Sequence, residues 1–79
     1  MTSTNKELLQ QIGSRLAEER AKLKFSSKDI YSDELISLPK ATYESYEDGR
    51  REVPGTVLYR LWHMGFDIQY IVTGEYSEY

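Results

Sequence analysis

The sequence predicts an all-α fold, a compact bundle of five short helices. Three observations carry this. Apolar residues in the first third of the chain recur at three- and four-residue spacings, the mark of a helix with one buried stripe. Glycine and proline then cut the remainder into short helical pieces. With 79 residues and no cysteine, the chain must hold one small domain together without disulfides or thiolate metal sites. Short loops and local helix packing suit that economy.

The first helix is expected from about Asn5 to Leu23, with Leu8, Leu9, Ile12, Leu16 and Leu23 on its buried stripe and Thr4 or Asn5 as its cap. Gly13 interrupts the pattern. Ser26, followed three residues later by Asp29, is a weak capping box; it opens a second helix expected over Ser27 to about Leu35, with Ile30 and Tyr31 inward. Pro39 suits the first turn of a third helix, where its missing N–H costs nothing. That helix is expected from Pro39 to Asp48, with Leu38, Tyr43 and Tyr46 inward, Lys40, Ala41, Thr42, Glu44 and Ser45 outward, and Gly49 as its left-handed C-terminal stop. A fourth helix, Pro54 to Met64, should bury Val57, Leu58, Leu61 and Trp62. Asp67 is placed to cap a fifth, carrying Ile68, Tyr70, Ile71 and Val72 and ending at Gly74. Residues 1–75 thus read as one domain and 76–79 as a short tail.

Charge narrows the function. The net charge is −3, which alone argues against nucleic acid. Its distribution argues the other way, since residues 1–28 carry six basic and three acidic groups and the rest four basic and ten acidic. Basic groups gather at Arg15, Arg20, Lys22, Lys24 and Lys28, and again at Lys40, Arg50 and Arg51. Phosphate attraction is local, because exposed charges beyond a Debye length of about 8 Å are screened. The single histidine, His63, rules out multi-histidine metal sites and reads as a surface residue. No nucleophile–base pair or phosphate-cradling glycine loop is visible, so an enzyme is not expected, nor a cofactor, metal or small-molecule substrate. No apolar run approaches the roughly 20 residues of a membrane helix, and the opening MTSTNKELLQQ lacks the pattern of a signal peptide. The expected location is the cytoplasm.

The stretch from Phe25 to Arg51 joins a short capped helix, a tight turn and a second short helix that presents small and polar residues at its start. That is the pattern of a helix-turn-helix, whose second helix enters the major groove of double-stranded DNA. The candidate base-reading residues are Lys40, Ala41, Thr42, Glu44 and Ser45. Their plain alternative is a solvated helix face. Glu44 stands between accepting from a cytosine amino group and keeping the surface soluble. The candidate phosphate contacts are Ser27 and Lys28 at the start of the second helix and Arg50 and Arg51 after the third.

These residues resemble the phage repressor/Cro-type helix-turn-helix family, often named after the xenobiotic-response-element regulator. The resemblance rests on Ile12-Gly13-Ser14-Arg15-Leu16 with Glu19-Arg20 and Leu23, on Phe25-Ser26, on Thr42-Tyr43-Glu44-Ser45-Tyr46-Glu47-Asp48-Gly49-Arg50 with Pro54, and on the ending Gly65-Phe66-Asp67-Ile68-Gln69-Tyr70-Ile71-Val72-Thr73-Gly74-Glu75. It implies a lambda-repressor-like bundle and a transcriptional regulator that acts by occupying an operator as a homodimer. The ending is typical of prophage repressors, in many of which an oligomerisation or self-cleaving domain follows. It also implies a pairing of Arg15 with Glu47. Ser27 stands where the family usually has Gln, and the turn before Pro39 lacks the family's Ala and Gly. The dimer surface is expected on the fifth helix and the tail, where Tyr70, Tyr76 and Tyr79 gather, or on a C-terminal domain that follows them. The competing reading is a helix-turn-helix antitoxin or anti-repressor that acts through a protein partner.

Overall fold

A computed structural model describes residues 4–78 of the chain. It is all-helical among these residues. Helix α1 spans Asn5–Lys22, α2 Ser27–Tyr31, α3 Lys40–Glu47, α4 Gly55–His63 and α5 Ile68–Thr73. Helix α1 is the spine: α3 and α5 pack on it, α2 packs on α3, and α4 on α5. No helix of the described residues is long and apolar enough to cross a membrane.

The helix ends follow the local chemistry. The Thr4 hydroxyl accepts from the Glu7 N–H at 3.2 Å. Ser26 and Asp29 form the reciprocal capping box of α2, with bonds of 3.1 and 2.8 Å. The Asp67 carboxylate accepts from the Tyr70 N–H at 3.1 Å. Gly49 and Gly74 take the left-handed conformation after α3 and α5, with φ of 74° and 82°.

The core consists of Leu16, Ile30, Ile36, Tyr43, Tyr46, Val57, Leu61, Phe66 and Ile71. Tyr43 and Tyr46 are core, as expected, packed edge to face with ring centroids 6.4 Å apart. Gly13 is buried because α1 and α3 touch there. A Cβ on it would collide with the Tyr46 and Glu47 carbonyl oxygens, so glycine is what lets the two backbones meet.

Three expectations about packing are corrected. Trp62 is 59% exposed, because α4 buries only the Val57–Leu61 edge and turns the tryptophan to the far side. On α1, Leu8 and Leu23 are exposed while Gly13 and Glu19 are buried. Helix α2 stops at Tyr31 rather than near Leu35. Beyond it the Asp33 carboxylate accepts from the Leu35 N–H at 2.9 Å, and the Asp33 carbonyl from the Ser37 N–H at 2.7 Å. The carboxylate bond draws the Leu35 N–H away from its helical acceptor, the Tyr31 carbonyl, which accepts from the Leu38 N–H at 3.0 Å instead. Ile36 then turns into the core and Leu35 out to solvent.

Candidate nucleic-acid interface

The arrangement of α3 is set by a charged cluster beneath it. Arg20 in the last turn of α1 grips Glu47 of α3 through two bonds, Nε to Oε2 at 2.6 Å and Nη2 to Oε1 at 3.0 Å. Its Nη1 donates to the Phe25 carbonyl at 3.0 Å, which fixes the entry to α2. The Tyr43 hydroxyl donates to Glu47 Oε2. The fork geometry gives both direction and strength. The Glu47 bond raises the Arg20 pKa, and burial, with the Glu47 charge beside it, pushes the Tyr43 phenol well up. The arginine therefore stays charged and the phenol neutral across physiological pH.

The expected Arg15–Glu47 pair is not formed. Arg15 instead donates to the last carbonyls of α5, Ile71 O at 2.9 Å and Val72 O at 3.2 Å. Five residues separate Arg15 from Arg20, about 140° around the helix, so α1 sends one arginine to α5 and the other to α3.

With Tyr43 and Tyr46 facing inward, the outer side of α3 exposes Lys40 and Ala41 and leaves Thr42 and Glu44 half-buried. Ser45 is a correction. It is 2% exposed, and its hydroxyl donates to the Thr42 carbonyl, so it has no free group to offer a base. Lys28 is exposed at the α2 end and Ser27 is half-buried. Arg50 and Arg51 are exposed after α3, where their N–H groups both donate to the Ser45 carbonyl, at 2.9 and 3.3 Å. Arg50 also pairs with Asp48 at 3.0 Å.

Acids near this surface are partly occupied. Asp29 is held in its capping box, with its pKa lowered chiefly by the Ser26 N–H, while Asp33 holds the turn and Asp48 meets Arg50. The candidate face is thus mixed in sign rather than strongly basic.

Motif reading missed one feature of the interface. Helices α1, α2 and α5 each carry a side-chain cap, whereas α3 and α4 begin after Pro39 and Pro54 with no side-chain cap and no acid in the first turn. Their first N–H groups and the positive ends of their dipoles are left without side-chain partners. The two prolines were the available signal. Among the described residues, no cluster of three or more His, Asp or Glu is placed to hold a metal ion. No protein-family model matches this chain, and neither does any curated protein or solved structure.

Proposed function

We propose that the protein is a sequence-specific double-stranded DNA-binding transcriptional regulator of the phage repressor type, acting as a homodimer by operator occupancy. The observation that carries this reading is the setting of α3. It is clamped to α1 by Gly13 and Arg20–Glu47, while its uncapped start projects Lys40 and Ala41 outward beside the ordered α2–α3 turn.

In this reading α3 enters the major groove, which is wide enough for a helix. Lys40 and Thr42 donate to base edges or phosphates, and Ala41 permits close approach. Glu44 accepts from a cytosine amino group where it contacts a base. Lys28, Arg51 and Ser27 hold the backbone. Arg50 joins them by exchanging Asp48 for a phosphate. The uncapped start of α4 lies just after the Arg50–Arg51 loop and favours an anion in the same way.

Selection of bound sites from a random duplex pool at near-physiological salt tests the reading. A two-fold-related motif is expected, with affinity falling steeply as salt rises. Lys40→Ala should weaken the selected site by about 1–3 kcal/mol if Lys40 reads a base; an equal loss on every sequence would make it a phosphate contact. A second reading, the antitoxin or anti-repressor, draws on the exposed Tyr59 and Trp62 of α4. It predicts no enriched motif and a partner affinity that salt hardly changes.

A further inference from the structure

The core does not use every apolar residue that periodicity points inward. Leu8, Leu9 and Ile12 of α1, Leu58 of α4 and Val72 of α5 all fall on such stripes, yet none of them is buried. Leu8 is 40% and Val72 41% exposed, and the other three are half-buried. With Val53 of the preceding loop they line one groove of about 270 Å³ where α1, α4 and α5 meet. An apolar cavity of about 150 Å³ holds benzene, so this groove suits a molecule of about ten non-hydrogen atoms.

The polar residues of this groove are Asn5 and Glu52, both exposed at its rim. Among the described residues Glu52 takes part in no ion pair, although Arg50 and Arg51 precede it and Arg50 turns to Asp48 instead. An ionised carboxylate beside apolar walls repels organic acids and offers an ammonium a charge-assisted hydrogen bond. The Asn5 Oδ1 can accept from the same ammonium, which has three donors to place. The walls and the rim thus ask for different ends of one molecule.

We infer that the groove binds a small apolar primary amine, a ring on a short alkylammonium chain. The ring covers Leu8, Leu58 and Val72, and the ammonium meets Glu52. Burial of the exposed leucine and valine supplies the affinity, and the carboxylate selects the cation. An amine held here sits beside the Arg50–Arg51 loop, but the site does not depend on the DNA reading.

The test is a titration of the full chain with phenethylammonium, followed by methyl and amide NMR shifts, with phenethyl alcohol as a neutral probe of the same shape. The amine is expected to saturate with a Kd of roughly 1 mM or tighter, moving the methyl signals of Leu8, Ile12, Leu58 and Val72. The alcohol should bind about five- to tenfold more weakly. Glu52→Gln should weaken the amine by the same factor and leave the alcohol unchanged, whereas Glu78→Gln, outside the groove, should change neither. Leu8→Asn should weaken both probes. Glu52 and Leu8 are exposed, so these variants should keep the wild-type amide spectrum elsewhere. An absence of saturable shifts, equal affinity for amine and alcohol, or an amine indifferent to Glu52→Gln overturns the inference. So do groove signals that move with protein concentration but with neither probe, which would mean that a second copy of the chain covers the groove.

Discussion

The α1–α3 junction and the α4 helix solve the same problem in opposite ways. At the junction, two backbones touch through Gly13, and an arginine, a glutamate and a tyrosine lock the contact from the side. Helix α4 has no such lock. It buries Val57 and Leu61 and leaves Tyr59, Trp62 and His63 in solvent. The junction fixes the orientation of a helix whose outer face is small and polar. The other region keeps its largest side chains outside. The lateral lock sits under the candidate DNA-reading helix, and large rings are left exposed on α4.

The largest expected difference lies within α4 itself. Leu61→Ala removes a fully buried side chain and should cost about 3–4 kcal/mol. Trp62→Ala, one residue on, should change monomer stability by no more than about 0.5 kcal/mol. Urea denaturation of dilute protein measures both. Comparable losses would mean that Trp62 is core after all and would erase the contrast between the two regions.

Gly13→Ala attacks the junction. The added methyl meets backbone oxygens that cannot rotate away, so α1 and α3 must separate. A net loss of about 3 kcal/mol is expected, despite the better helix propensity of alanine. Arg20→Met keeps the aliphatic stem but strips Glu47 of its partner. The pair is only partly exposed, at 20% and 15% for the two side chains, so the loss should be about 2 kcal/mol. The same variant should weaken DNA binding at concentrations where it is fully folded, because α3 loses its lateral clamp. Arg15→Met should not, since Arg15 serves the end of α5.

That arginine exchange shows where the sequence was legible. Helix count, breakers, caps and the inward tyrosines were readable, because capping and periodicity are local. Thr4, Ser26 and Asp67 cap as their positions predict, and Gly49 and Gly74 stop their helices. Partner choice was not readable. Arg15 and Arg20 both sit on α1, and only the crossing of α1 and α3 decides which reaches Glu47. Trp62 was misplaced for a related reason. Composition makes α4 apolar on more than one side, and packing covers only the side that meets its neighbours. Ser45 shows the same limit at the candidate site. A small hydroxyl side chain on α3 reads as outward, yet the helix turns it inward onto the Thr42 carbonyl.

The smallest effect expected is a pH dependence at Asp67, which caps α5 and anchors the tail. The Ser77 and Tyr70 N–H groups hold its pKa below the usual carboxylate value, the Ser77 bond counting most. A depressed folded pKa means that the unfolded chain binds the proton more tightly. The stabilisation is therefore fully present above the unfolded value of about 3.9 and is lost as pH falls through the folded one. Asp29 acts in the same direction through its capping box. Asp67→Asn keeps an oxygen for the Tyr70 N–H but removes the titration. Urea midpoints from about pH 6 down to about pH 2 should fall less steeply in this variant than in wild type. Parallel curves would place the acid sensitivity elsewhere and leave Asp67 as a cap whose charge contributes nothing. A steeper fall in the variant would mean that folding raises the Asp67 pKa, and would overturn the direction argued here.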